Sequence, residues 1–233
     1  MKIAACTASG ARPVQLGWCR EMMQAQSRVP DMHIVSEDET LNIRDNLMKV
    51  LQEGLDQGAD VLYIIEDDDW YPPNYIERHI KAFDAGWHLV GSSFTYYYNV
   101  PTKTYVQIQH ANRSSGCATI CSRYGAEQVI EALKRLVDGT SIIFSLHPMT
   151  PEHLEELRSV TVDLPIWFDL RSRLPSFLLQ EPTMIGIKGL PGRTGLTQGH
   201  KRLPCSDPQG RVLTEWVGEE WASRYFKFCE QGS

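Results

Sequence analysis

The chain carries no run approaching the ~18 consecutive apolar residues of a membrane-spanning helix. Nor does it open with a secretory signal: Met1-Lys2-Ile3-Ala4-Ala5-Cys6 soon turns polar and reads as a first strand. These absences predict a soluble, cytoplasmic protein with no membrane partner. Six cysteines (Cys6, Cys19, Cys117, Cys121, Cys205 and Cys229) include no CxxC pair, and Ala118-Thr119-Ile120 between Cys117 and Cys121 is strand-like. A zinc knuckle needs two such pairs, so structural zinc is not expected, and reduced, mostly buried thiols are. Asn112-Arg113-Ser114 matches a glycosylation sequon but has no secretory context. A basic excess is missing too. The 29 acidic residues outnumber 23 basic ones for a net charge of −6, which argues against indiscriminate nucleic-acid binding. There is no internal repeat, low-complexity tract or linker. With 42% hydrophobic residues, the 233 positions are expected to form one domain (1–233) around a sizeable core.

What is present, first, is alternation. Lys2 to Thr7, Met32 to Val35 and Val61 to Ile65 read as strands, separated by helical patterns over Val14 to Gln26 and Leu41 to Gln57. The second helix is the clearest, with Leu47, Val50, Leu51 and Leu55 as its apolar stripe and Gly58 where it would stop. A third helix is expected from about Asn74 to Ala85. This order implies an α/β fold with a parallel sheet and right-handed crossovers. His88 to Val100 and Thr104 to Gln109 read as a hairpin around Asn99-Val100-Pro101-Thr102-Lys103. Gly116 to Cys121 follows as a buried strand and Tyr124 to Val137 as a helix. Beyond Gly139 the pattern thins to short helices over Pro151 to Arg158 and Pro165 to Leu174 and a strand over Met184 to Ile187.

The most informative segment is Val61 to Pro73, where five strand residues run into Glu66-Asp67-Asp68-Asp69, then Trp70-Tyr71-Pro72-Pro73. Like charges side by side repel, and a cation would relieve them. Hard oxygen ligands at the end of a parallel strand suit Mg²⁺ or Mn²⁺ with a substrate's phosphates. A solvated acidic turn is the plain alternative. A second feature is basic. From Gly186 to Arg211, Lys188, Arg193, Lys201, Arg202 and Arg211 face Asp207 alone, and five glycines lie between Gly186 and Gly199. A diphosphate or other polyanion would suit that loop, and so would solvent.

Three elements in order resemble GT-A glycosyltransferases of the family-2-like type, including small soluble bacterial and phage enzymes. They are Thr7-x4-Arg12-Pro13 after the first strand, Arg44-Asp45-Asn46 on the second helix, and Glu66 to Asp69 followed by Tyr71 and Pro73, in the place of a DxD motif. The resemblance covers roughly residues 1 to 130 and is looser from 140 to 233. It implies a Rossmann-like, mostly parallel central sheet with helices on both faces, a small hairpin and an irregular C-terminal region. Residues 1–130 would bind a nucleotide-sugar and 131–233 would form the acceptor side.

The implied activity is metal-dependent transfer of a sugar from a nucleotide-diphosphate donor, a UDP-sugar first among them, to a hydroxyl acceptor. That acceptor would be a saccharide or a modified DNA base, for which Tyr96 to Tyr98 and Tyr105 offer stacking surfaces. By resemblance Asp68 contacts Mn²⁺ (or Mg²⁺), Asp69 is a second metal or sugar contact, and Glu66 or Asp67 faces the ribose or donor sugar. Thr7 and Arg12 border the nucleoside, Glu37 and Asp38 bond base or ribose, and Arg44 reaches base or diphosphate. His200 completes the cation's shell, beside phosphate-gripping Lys201 and Arg202. Asp169 is the expected acceptor base, with Asp163 as the other carboxylate and a natural N-cap before Pro165. The chain lacks a clear E-D pair and any Q-x-x-R-W element, so inversion and retention both stay open. A sugar-1-phosphate nucleotidyltransferase would need a richer phosphate loop than Ser9-Gly10-Ala11-Arg12. A non-catalytic nucleotide-sugar-binding module is the third reading.

Overall fold

A computed structural model describes residues 1–10, 12–137, 163–191 and 203–231. Strands β1 (Ile3–Ala8), β2 (Met32–Ser36) and β3 (Val61–Ile65) alternate with helices α1 (Pro13–Gln24) and α2 (Ile43–Asp56). Both β1 and β3 are buried at every position, as parallel strands are when helices cover both faces. Alternate side chains divide between the layers. Ile3 and Ala5 join Tyr63 and Ile65 under Cys19, Met22 and Met23 of α1. Ala4, Cys6, Leu62 and Ile64 meet Leu47, Val50, Leu51 and Leu55 of α2 on the other face. At about 25 cal/mol per Å² of apolar surface, burial on two faces is what makes these short strands persist.

The strand order β2-β1-β3 follows from this division. The chain leaves β1 toward α1 on one face and leaves β2 toward α2 on the opposite face. In this order the topological switch point falls between β1 and β3, and the crevice at their carboxyl ends is the usual ligand position of open α/β sheets. The acidic segment at the end of β3 lies beside it, because β3 pairs with β1 along Ile3 to Thr7.

The remainder continues the same open, mixed sheet. Helix α3 (Tyr75–Asp84) leads to β4 (Leu89–Asn99), which turns at Lys103 into β5 (Thr104–Gln109), giving the expected hairpin. A 3-10 turn (Gly116–Ala118) and β6 (Ile120–Ser122) replace the single strand expected over Gly116 to Cys121. Helix α4 (Arg123–Val137) and α5 (Asp163–Leu170) join the α2 layer through Val129, Leu133, Ile166, Trp167 and Leu170. Strand β7 (Ser176–Lys188) runs parallel to β4, and the longest ladder of the sheet is theirs. Its thirteen residues exceed the expected Met184 to Ile187 because Pro182 interrupts the apolar pattern, and the ladder shifts register there. Strand β8 (Cys205–Ser206), α6 (Arg211–Val217) and α7 (Glu219–Gln231) close the sheet's far end with Leu213, Val217, Ala222 and Tyr225. Asp207 caps α6, accepting from the backbone N–H of Arg211 (2.9 Å) and Val212 (3.0 Å) and from the Tyr98 hydroxyl (3.0 Å). No described helix is long and apolar enough to cross a membrane. The helix expected over Pro151 to Arg158 lies outside the described residues.

Candidate functional site

The four carboxylates at the end of β3 form two ion-pair clamps. In the first, Arg12 reaches back from the turn after β1. Its guanidinium is 9% exposed and binds the Asp67 carboxylate through Nη2 and Asp68 Oδ2 through Nη1 at 2.6 Å. Ser9 Oγ donates to Asp67 Oδ2 at 2.7 Å, so Asp67, wholly buried, is held from two sides by one turn. In the second clamp, Asp69 Oδ1 accepts from the Ile187 N–H (2.9 Å) and from Lys188 Nζ (3.1 Å) at the end of β7. Lys188 Nζ also lies 3.9 Å from Glu66 Oε2 and over the Tyr97 ring.

Local sequence explains the geometry. Pro13 starts α1 and fixes the turn that carries Arg12. The Tyr71 hydroxyl accepts from the Glu66 N–H at 2.8 Å, and the Trp70 N–H donates to Ile185 O at 2.9 Å, which ties the acidic turn to β7.

Burial raises the proton affinity of Glu66, Asp67 and Asp69. The Asp69 charge adds to the rise at Glu66, while Arg12 opposes it at Asp67 and Lys188 at Asp69. Burial also disfavours the two cations, but the surrounding carboxylates outweigh it and hold Arg12 and Lys188 charged. With every group ionised, the four acids and two bases leave a formal charge of −2. Glu66 (36% exposed) and Asp68 (14%) face solvent, while Asp67 and Asp69 do not. Among the described residues Asp69 Oδ2 is buried without a hydrogen-bond partner. A residual double negative charge and a carboxylate oxygen without a strong donor fit a divalent cation; Glu66, Asp69 and Cys117 bring their ligand atoms together, while Asp68 is paired with Arg12.

The carboxyl ends of β1 and β2 and the start of α2 carry the next group. Thr7 is fully buried, its Oγ1 sharing a proton with His33 Nε2 at 2.9 Å. Asp38 accepts from the Thr40 N–H and hydroxyl, and Lys49 lies 3.4 Å away. Glu37 is half exposed with Arg20 at 3.9 Å. Arg44, largely buried in the first turn of α2, bonds Asp45 at 3.3 Å. Asn46, the last residue of the Arg44-Asp45-Asn46 element, ties the start of α2 to the end of β2. It accepts from Ser36 Oγ at 2.5 Å and donates to Asp38 O at 2.9 Å.

Asp169 sits differently from Asp163. Asp169 is buried on α5, and its carboxylate accepts from Arg135 of α4 at 3.2 Å. Asp163, six positions earlier, lies about 120° around the same helix. It pairs with Arg113, and its charge reaches Tyr97, the tyrosine over which Lys188 lies. His200, Lys201 and Arg202 lie outside the described residues. Sequence reasoning missed Lys188 as the partner of Asp69, and Cys117, whose thiol lies near Glu66 and Asp69. The basic tally of the late loop was the one signal for the former.

No family model matches this chain, and no curated protein sequence does. Among solved structures, the crystal structure of A197 from STIV matches with a TM-score of 0.46 and 12% identity, covering 89% of this chain and 95% of that one. A likeness this distant carries no functional argument.

Proposed function

We propose that this protein is a metal-dependent glycosyltransferase that takes a sugar from a nucleotide-diphosphate donor, a UDP-sugar first among candidates. The observation that carries the reading is the doubly clamped acidic turn at the carboxyl end of β3, beside β1. Two internal cations fix its carboxylates, yet it keeps a charge of −2 and two solvent-facing acids. A bound Mn²⁺ or Mg²⁺ would stabilise the charge that grows on a diphosphate leaving group. This chain's own residues do the rest. Glu66 and Asp68 hold the cation side. Arg12 keeps Asp67 and Asp68 rigid, so that no reorganisation is needed as charge develops. Thr7, Glu37, Asp38 and Arg44, at the carboxyl ends of β1 and β2 and the start of α2, would border a nucleoside.

A hydroxyl acceptor, saccharide or modified DNA base, would approach from the solvent-facing side of Glu66 and Asp68. Asp169, held by Arg135, is the carboxylate assigned to take its proton, with Asp163, held by Arg113, as the other candidate. His200 and Lys201, outside the described residues, belong to the same proposal by sequence alone. A cytoplasmic setting accords with a soluble donor.

The test is a thermal-shift panel of UDP, GDP, CDP and TDP, each with Mn²⁺ or EDTA. One nucleotide should raise Tm only with Mn²⁺, and Asp68→Asn and His200→Ala should each weaken the effect. Equal shifts in EDTA, or none with any nucleotide, would overturn the reading. Hydrolysis of the matching sugar nucleotide then separates a transferase from a binding module. Pyrophosphate release from a nucleoside triphosphate would identify a nucleotidyltransferase instead.

A further inference from the structure

A thiol stands among the acids. Glu66, Asp69 and Cys117 each offer a ligand atom, and these atoms lie within 4.8 Å of one another. Cys117 is held in the 3-10 turn Gly116–Ala118 by the Tyr71 and Tyr75 hydroxyls, both donating to its carbonyl at 3.3 Å. Its Sγ lies 3.4 Å from Ser115 Oγ and 3.8 Å from Met184 Sδ, a soft and largely apolar setting. Asp69 is fully buried, and only one of its oxygens is used. Oδ1 serves Ile187 and Lys188, and Oδ2 has no N–H or O–H donor among the described residues, with only the Cys117 thiol as a weak donor to the carboxylate.

We infer that Glu66, Asp69 and Cys117 form a seat for a thiophilic divalent cation of the Zn²⁺ or Co²⁺ kind. Three arguments converge. A buried carboxylate oxygen with no donor stronger than a thiol is costly unless something binds it. A thiolate, two carboxylates, the Lys188 ammonium and one divalent cation sum to zero charge, the condition under which a buried ionic cluster is tolerated. A sulfur ligand shifts preference away from Mg²⁺ toward softer ions, and three protein ligands leave a fourth position open, as in catalytic rather than structural zinc sites. Lys188 stays on Oδ1 and supplies neutralising charge without blocking Oδ2. The solvent-facing side of Glu66 gives the cation its way in. This site does not need the transferase reading and would stand without it.

The experiment is a Co²⁺ titration of the full chain carrying Cys205→Ser, which removes the one exposed thiol. A near-ultraviolet thiolate-to-cobalt charge-transfer band should saturate at one equivalent, and X-ray absorption should count one sulfur on the cobalt. Cys117→Ser should abolish the band, and Asp69→Asn should weaken binding about tenfold or more. Cys229→Ser, on α7 and outside the acidic turn, should leave the band. Absence of the band, a band that survives Cys117→Ser, or a cobalt shell with no sulfur would overturn the inference. The sulfur count decides the matter even where a variant fails to fold. A band without any Mn²⁺-dependent nucleotide shift would keep this site and sink the transferase reading, and the converse result would do the reverse.

Discussion

Replacing Arg12 by Met leaves a flexible side chain of similar reach but deletes the partner of two carboxylates, one wholly buried. Breaking a buried ion pair from one side typically costs about 3–5 kcal/mol, because the remaining charge is desolvated and unpaired. Here the clamp's formal charge moves from −2 to −3, while Ser9 still bonds Asp67, so the lower part of that range is expected. The pH dependence has a definite sign. Without Arg12, native Asp67 binds its proton more tightly still, whereas in the unfolded chain it titrates normally. Between the two pKa values the native state holds more protons, so the mutant's deficit shrinks as pH falls from 7.5 toward 5. Urea melts of both proteins at both pH values measure this, and Asp67→Asn added to Arg12→Met should recover part of the loss. A deficit below about 1 kcal/mol at pH 7.5, the scale of a solvated surface pair, would refute the reasoning.

Two further outcomes rest on the core. His79 is fully buried, donates from Nδ1 to Tyr75 O at 2.7 Å, and is pushed down to about 4 by burial. Its neutral form is therefore native, and stability is lost as pH falls from about 6.5 toward 4, at about 1.4 kcal/mol per pH unit. His79→Phe should flatten that limb relative to wild type, and parallel limbs would count against it. A Cβ at Gly125 would meet the His88 carbonyl oxygen at 2.1 Å, whereas one at Gly17 would meet nothing within 4 Å. Gly125→Ala should cost about 3 kcal/mol or more. Gly17→Ala, inside α1, should gain about 0.5–1 kcal/mol, both read by chemical denaturation.

The first half of the chain was legible because its signals are local. The periodicity of Leu47, Val50, Leu51 and Leu55, and five apolar residues ending in four acids, specify α2, β3 and the acidic turn without reference to distant residues. The Arg12 clamp was not legible: the sequence set Arg12 beside a nucleoside, and its pairing with Asp67 and Asp68 comes from β1 lying next to β3. The rest depends on tertiary register, which spacing does not encode. Strand β7 hides behind Pro182 and a polar Gln180-Glu181 pair, so Lys188 read as part of a basic loop rather than as a strand end. Asp169 drew attention through its aromatic neighbours, but which side of α5 meets Arg135 is decided by how α4 packs. Cys117 carried no pattern at all, since its partners are 48 and 51 residues away in sequence.

The Asp69–Lys188 pair also bears on how the chain finds its fold. The contact closes a separation of 119 residues, against 55 for Arg12 and Asp67, so loop entropy and synthesis order both put it later. Until then Asp69 awaits its cation while the first three strands can already assemble. Strand β7 has a weak alignment signal of its own, with shifts in its ladder on either side of Phe94. A slip of one residue would turn the Lys188 side chain to the opposite face and present Ile187 or Gly189 to Asp69. One buried charge therefore acts as a key for alignment, rejecting misregistered closures of the late strand that hydrophobic contacts alone would accept.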